Sequence, residues 1–428
     1  LVELNESNCS IFLFLAAISG IRCYNAVIHK DFFAMGIRNL DDLSQLKGRR
    51  VLVRVDYNVP LKGDKVDPHA DAKLRASLPT IRYLASRKAK VVLVSHLGRP
   101  EGWDRRLSLA PIVGRLEKLL RRKVLFIRDD ITIGHEAEKF LTGLKAGQVA
   151  MLENIRFYPG EKKNDRFFSR RLASFGDLYV DDAFADAHRK HASNVGITHY
   201  LKSYAGRLME SEIHNLDRLL RRPVGPFVVL MGGAKVSTKL PTLKKLLKVA
   251  DEILVGGGLA NSFIRASGLS VGQSVVSRSE MIAARKLIKN RKIILPCDLL
   301  AASSVSGAAK VRVSDIDDVR SNEYVPDIGP RTVRDFAARL KRAQTIVWNG
   351  PMGVFEIDQF SHGTIALGRV VAARASGRAF GVVGGGETIT ALELTGMAHH
   401  VDFISTGGGA MLEYLTGKTL PGIAPLLD

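Results

Sequence analysis

The chain of 428 residues carries 46% apolar and 25% charged side chains, enough for two or three domains with large buried cores. Its formal net charge of +20 comes from scattered pairs such as Arg105-Arg106, Lys162-Lys163 and Arg221-Arg222, and without zinc-finger spacing, a basic zipper or an aromatic RNA-binding motif it argues against specific nucleic-acid recognition. Three cysteines, Cys9, Cys23 and Cys297, without CxxC spacing exclude a disulfide framework and a structural zinc, and no apolar run reaches the ~20 residues of a membrane helix.

Residues 1–34 stand apart from the rest. Ile11 to Ile18 is an apolar run of signal-peptide type, but Glu3 and Glu6 precede it without any Lys or Arg, the wrong charge for a secretory signal. No Met occurs before Met35. The expectation is an upstream extension outside the fold, with folded structure beginning near Met35.

From Val51 onward short apolar strands alternate with amphipathic helices. Strands read at Val51–Asp56, Lys90–His96, Val124–Arg128, Val149–Arg156 and Leu178–Phe184, with helices at Ala72–Ser86, Ala110–Leu120 and His135–Leu144. Near-continuous apolar strands joined by helices predict a parallel sheet covered on both faces. Arg207–Arg222 then places Leu208, Ile213, Leu216, Leu219 and Leu220 at helical spacing before Pro223, which predicts a long connecting helix. The second half repeats the scheme, with strands at Phe227–Met231, Glu252–Val255, Ile293–Pro296, Thr345–Trp348, Phe380–Val383 and Phe403–Ser405. The predicted class is α/β, with two doubly wound parallel-sheet domains, 35–206 and 223–408, joined by a hinge helix over 207–222 and followed by a C-terminal segment, 409–428.

In open α/β sheets ligands sit beyond the carboxyl ends of the strands. The stretch Val228 to Leu240, VVLMGGAKVSTKL, puts Gly232 and Gly233 after a strand, and Lys235 and Lys239 at the start of a helix. Glycine admits an anion close to the backbone, the helix start presents N–H groups, and the lysines add positive charge. A tight turn followed by a solvated lysine face is the plain alternative. Further glycine turns follow at Gly256–Gly258, Gly350-Pro351, Gly384–Gly386 and Gly407–Gly409. They are neither P-loop nor dinucleotide fingerprints, because Leu412, Asn261 and Ile389 occupy the positions where the last glycine would fall. In the first half Asp56, Asn58, His96, Arg99, Arg156, His188 and Arg189 all follow apolar runs. Taken singly each could be a cap or a surface ion pair. Together their guanidinium forks suit a small phosphorylated acid.

Nine motifs in order resemble the phosphoglycerate kinase family over 35–427. They are VLVRVDYNVPL at Val51–Leu61, SHLGRP at Ser95–Pro100, ENIRFYPGE at Glu153–Glu161, AHRKHASNVGI at Ala187–Ile197, MGGAKVSTKL at Met231–Leu240, DIGPRT at Asp327–Thr332, VWNGPMGVFE at Val347–Glu356, VVGGGET at Val382–Thr388 and STGGGA at Ser405–Ala410. The resemblance implies phosphoryl transfer from 1,3-bisphosphoglycerate to ADP, with 3-phosphoglycerate on the first domain and a magnesium nucleotide on the second. Asp56 and Asn58 would meet the carboxylate and hydroxyl of the acid, and His96, Arg99, Arg156 and Arg189 its phosphate or the group in transfer. Lys235 would stabilise the phosphoryl group in flight, together with Arg99, Lys73 and the backbone of Gly408. Lys239, Asn349, Gly385, Gly386, Thr388 and the turn Gly407–Gly409 would hold the nucleotide phosphates, Gly256–Gly258 the adenine, Glu356 the ribose and Glu387 the Mg²⁺. It also implies a cytoplasmic monomer, and a C-terminal stretch, Leu420–Leu427, packed back on the first domain.

Three positions depart from the family pattern. Lys73 stands where the family has arginine, so one planar fork is lost, and Arg75 on the same helix points elsewhere. Glu387 replaces aspartate at the magnesium position, one methylene longer. Ala185-Asp186 replaces Gly-Thr, adding negative charge beside an anion site. They leave two alternatives open: a weakened or inactive relative, or, on net charge alone, a basic nucleic-acid-binding protein.

Overall fold

A computed structural model describes residues 36–63, 65–67, 71–128, 135–234 and 236–428, and within it Ile37–Asp428 is one compact unit. The expected extension over 1–34 and the lysine at 235 lie outside the described residues.

The first sheet is built from β1 (Arg50–Val55), β2 (Lys90–Val94), β3 (Val124–Ile127), β4 (Val149–Leu152), β5 (Leu178–Asp182) and β6 (Ser203–Ala205). All six run parallel in the order β3-β4-β2-β1-β5-β6. Helices α1 (Ala72–Ser86), α2 (Ala110–Leu120), α3 (His135–Thr142) and α4 (Arg166–Ala173) supply its crossovers. Alternate residues of β1 feed separate cores, with Val51, Val53 and Val55 packed under α1 and α2, and Leu52 on the opposite face with Phe168 and Leu172 of α4. This two-faced burial explains why these strands read as unbroken apolar runs. The bounds of α1 and α2 match the sequence expectation.

Helix α5 (Arg207–Arg221) follows β6 directly, a short strand that the sequence reading did not mark. Its first N–H groups are capped by Asp182 at the end of β5, which accepts from Leu208 N at 2.9 Å.

The second sheet comprises β7 (Phe227–Met231), β8 (Glu252–Val255), β9 (Ile293–Ile294), β13 (Thr345–Asn349), β14 (Phe380–Gly384) and β15 (Phe403–Ser405), parallel in the order β9-β8-β7-β13-β14-β15. Helices α6 (Val236–Leu246), α7 (Gly257–Ala266), α8 (Pro330–Arg342), α9 (His362–Ala375), α10 (Gly386–Leu394) and α11 (Gly409–Tyr414) accompany it. Between β9 and α8 the chain departs from expectation. It forms an antiparallel sheet of β10 (Asp298–Ala302), β11 (Val311–Asp315) and β12 (Tyr324–Ile328), none of which was read as strand. β11 is largely exposed and mixes Val with Arg, Ser and Asp, so it lacks the apolar run that marked the other strands.

Candidate active site

In each sheet the candidate site side chains gather where the strand order turns at that sheet's first strand, β1 or β7. In the first sheet the reversal lies between β1 and β5, because β2 and β4 are laid down on one side of β1 and β5 on the other. The crevice outside the carboxyl ends of such neighbours is where an open sheet receives ligands.

Arg54, near the end of β1, anchors this crevice and is 1% exposed. Its Nε donates to Ser193 Oγ at 2.9 Å, and its Nη2 lies 3.0 Å from His96 Nδ1 and 2.9 Å from Asp186 Oδ2. Ser193 is in turn fixed by Glu161, whose carboxylate accepts from Ser193 Oγ at 2.7 Å and from its backbone N at 3.0 Å. His96 is buried, and desolvation together with the guanidiniums of Arg54 and Arg156 holds it well below the usual imidazole range, so it is a neutral ring. Arg189 Nη1 donates to Asp186 Oδ1 at 2.8 Å. Arg156 Nη2 stands 3.8 Å from the same oxygen, its Nη1 donates to Gly98 O at 2.8 Å, and its buried Nε has no partner among the described residues. Lys73 on α1 reaches Asp56 Oδ2 at 2.6 Å and Asn58 O at 3.3 Å, while Arg75 turns away to Asp71 at 2.7 Å. Asn58 Oδ1 accepts from Gly98 N at 2.9 Å. Arg99 is exposed and makes no ion pair among the described residues. Two of the organising residues, Arg54 and Glu161, were missed from sequence. The signal for Arg54 was a charge set inside an apolar run, the VLVRV of β1, whereas Glu161 stands among Gly160, Lys162 and Lys163 and carried no such signal.

In the second sheet the reversal lies between β7 and β13. The backbone there is knitted closely: Gly232 N donates to Asn349 O at 3.0 Å, Gly233 N to Pro351 O at 2.7 Å and Gly257 N to Met352 O at 2.9 Å. Gly350 has φ +93°, and a Cβ there would run into Gly232 O and Lys239 Nζ, so no other residue fits. Lys239 is buried, donates to Gly232 O, and is brought down to about 8 by burial, partly opposed by the carboxylate of Glu387. Asn349 Nδ2 donates to Gly384 O at 2.7 Å, and Thr388 Oγ1 accepts from Gly350 N at 2.6 Å. Gly385, Gly386 and Glu387 open α10 beside them, with Gly386 and Glu387 exposed. Gly256–Gly258 lead into α7, and Glu356 is exposed beyond β13 with no hydrogen bond or ion pair among the described residues.

The two crevices are joined by contacts through α5, the turn after β15 and the C-terminal residues. Glu212, buried on α5, accepts from Ser405 Oγ and Thr406 N, each at 2.7 Å, and from Thr406 Oγ1 at 2.9 Å, at the start of the turn Gly407–Gly409. Gly408 in that turn has φ +50°. Phe184, two residues before Asp186, sits against Gly407, with its ring 6.0 Å from Tyr414. Gly422 N donates to Ala187 O at 2.8 Å, and Ile37 bridges Leu427.

Asp56, His96 and Asp186 also offer ligand atoms within 4.8 Å of one another. Lys73 and Arg54 already occupy their oxygens and ring nitrogen, so protein cations fill this cluster rather than a metal. Glu387 is a different case. An exposed carboxylate at a helix start, beside a lysine and glycine N–H groups, fits a Mg²⁺ that takes one protein oxygen and draws its other ligands from phosphate and water.

An α/β protein with an arginine-lined crevice on one sheet and a glycine- and lysine-lined crevice on the other is of the phosphotransferase class, built for two anionic ligands. The family model described as phosphoglycerate kinase matches residues 40–418. Phosphoglycerate kinase of Moorella thermoacetica is 46% identical over 395 residues, covering 91% of this chain and 98% of that protein, and that of Rubrobacter xylanophilus is 47% identical over 395 residues, covering 92% and 98%. Among solved structures, phosphoglycerate kinase from Coxiella burnetii superposes with a TM-score of 0.80 at 40% identity, covering 91% of this chain and 99% of that one. The enzyme from Pyrococcus horikoshii OT3 does so with a TM-score of 0.78 at 33% identity, covering 91% and 98%. The chain belongs to the phosphoglycerate kinase family.

Proposed function

We propose that the protein reversibly transfers a phosphoryl group from 1,3-bisphosphoglycerate to ADP, giving 3-phosphoglycerate and ATP, as a monomeric glycolytic enzyme of the cytoplasm. The observation that carries this reading is the pair of switch-point crevices, one rich in arginine and the other in glycine turns with a buried lysine. The acid is assigned to Asp56, Asn58, His96, Arg99, Arg156 and Arg189, with Lys73 at their edge. The nucleotide is assigned to Lys239, Gly256–Gly258, Asn349, Glu356, Gly385, Gly386, Thr388 and Gly407–Gly409, with Glu387 toward the metal. When bound, Mg²⁺ supplies charge neutralisation of the nucleotide phosphates.

The chain's own groups then hold and orient. Arg156 and Arg189 offer forked donors to the acid's anionic groups, while neutral His96 donates without adding charge. Lys239, set in a desolvated backbone cradle, offers an ammonium that strengthens as the site dries. Among the described residues, His96, Asp186 and Asp56 at the centre of the first crevice are committed to Arg54 and Lys73 rather than free to attack. Positioning and charge stabilisation therefore carry a direct in-line transfer. The acid domain is taken as 35–206, the hinge helix as 207–222 and the nucleotide domain as 223–408, with 409–428 returning to the acid domain. Closure over the hinge would bring the ligands together and exclude water from an acyl phosphate.

A coupled assay with 3-phosphoglycerate and Mg·ATP tests the reading, and absence of turnover would overturn it. Lys235→Ala is expected to lower kcat far more than nucleotide affinity. The reverse pattern would return that lysine to a role in ground-state binding.

A further inference from the structure

The acid crevice already contains an anion. Asp186 is 3% exposed at the end of a single turn, Phe184–Asp186, that follows β5. Its Oδ2 faces Arg54 Nη2 at 2.9 Å and His96 Nδ1 at 3.3 Å, and its Oδ1 faces Arg189 Nη1 at 2.8 Å and Arg156 Nη2 at 3.8 Å. Burial opposes ionisation, but Arg54, Arg189 and Arg156 overcome it and hold the carboxyl below its ordinary range.

The three arginines are not equally committed. Arg54 spends its donors on Ser193, Val55 O, His96 and Asp186 inside the core. Arg189 is 35% exposed along its side chain and is tied to the cluster by its Asp186 contact. Arg156 keeps a buried Nε without a partner among the described residues. An incoming anion can therefore draw Arg189 away while Asp186 keeps Arg54, so the carboxylate is never left unpaired. The ligand must nevertheless come to rest beside a like charge.

We propose that Asp186 is an affinity-setting residue of the acid site, a resident carboxylate that competes with the anionic group of the substrate for Arg189 and Arg156. This rests on the assignment of that crevice to a phosphorylated acid. It distinguishes the site from a bare arginine cluster, which would take up inorganic anions indiscriminately, because a ligand must bring further contacts to displace the internal carboxylate.

The test is titration calorimetry at fixed ionic strength, with 3-phosphoglycerate and with inorganic phosphate, on the unaltered protein, on Asp186→Asn, and on Arg54→Met combined with Asp186→Asn. The double variant removes the buried Arg54–Asp186 pair as a unit, so it serves where the single variant, which leaves Arg54 without its carboxylate, does not fold. Both variants are expected to bind each probe roughly tenfold tighter or more, and KM for 3-phosphoglycerate is expected to fall while KM for Mg·ATP holds. Unchanged or weaker binding by a folded variant would overturn the proposal and make Asp186 a positioner of Arg189. Tighter phosphate binding without 3-phosphoglycerate binding by any form would sustain the role of Asp186 and overturn the assignment of the acid. Equal binding of 3-phosphoglycerate by all forms would do the opposite.

Discussion

Lys239 shows what burial does to a single residue and how it becomes measurable. Its ordinary 10.5 falls to about 8 because the ammonium is desolvated, with Glu387 restoring part of the loss. A polyphosphate in the crevice favours the charged form. Mg·ADP binding just above pH 8 is therefore predicted to take up a proton, read from calorimetry in two buffers of different ionisation enthalpy. No uptake would mean that the lysine is already charged in the free protein. Lys73 is the residue on which the sequence was most ambiguous. Its lost fork was legible, but its engagement with Asp56 at 2.6 Å was not. Arg in its place would keep that pair and add a donor, so Lys73→Arg is predicted to preserve or raise kcat, and a large loss would show a site rebuilt around lysine. Most of the rim was readable because polar residues end apolar strands. Arg54 was not, since it stands inside one, and its partners Ser193 and Asp186 lie far along the chain.

At the scale of elements, α5 is more than a linker. Asp182 caps its start from β5, and Glu212 ties its middle to the turn after β15, so one helix reports to both crevices. The helix was legible from its apolar stripe. Glu212 within that stripe, three residues after Met209 and four before Leu216, was the unused clue. Burial lifts its carboxyl from 4.5 to about 7 against the donors of Ser405 and Thr406. An acid whose folded pKa is raised keeps its full stabilising effect below the unfolded value and loses it as pH rises through the folded one. Glu212 therefore costs stability between pH 4.5 and about 7, by up to ~3 kcal/mol, and the cost persists above. Glu212→Gln is predicted to flatten that part of the profile in urea unfolding at pH 5 and pH 8. The same pH dependence in both proteins would place the titration elsewhere, in Asp181, Asp182 or Asp327, which burial also lifts to about 7. The antiparallel sheet β10–β12 shows where strand reading fails. A half-exposed strand such as β11 owes its place to pairing with β10 rather than to its own apolar content.

For the whole molecule, two parallel sheets and their glycine turns were readable because doubly buried strands leave an apolar signature. Their strand order was not, and the order is what puts Asp56 beside Asp186 and Gly232 beside Gly350, since β1 and β5 or β7 and β13 are distant in sequence. The two crevices belong to different sheets and are linked through Glu212, Phe184 and the C-terminal residues. An account in which each ligand occupies its own crevice requires the two halves to close upon each other before transfer. Small-angle X-ray scattering reads that directly. The radius of gyration is predicted to shrink when 3-phosphoglycerate and Mg·ADP are present together, and to change little with either alone. An active protein whose radius stays the same with both ligands bound would contradict the account.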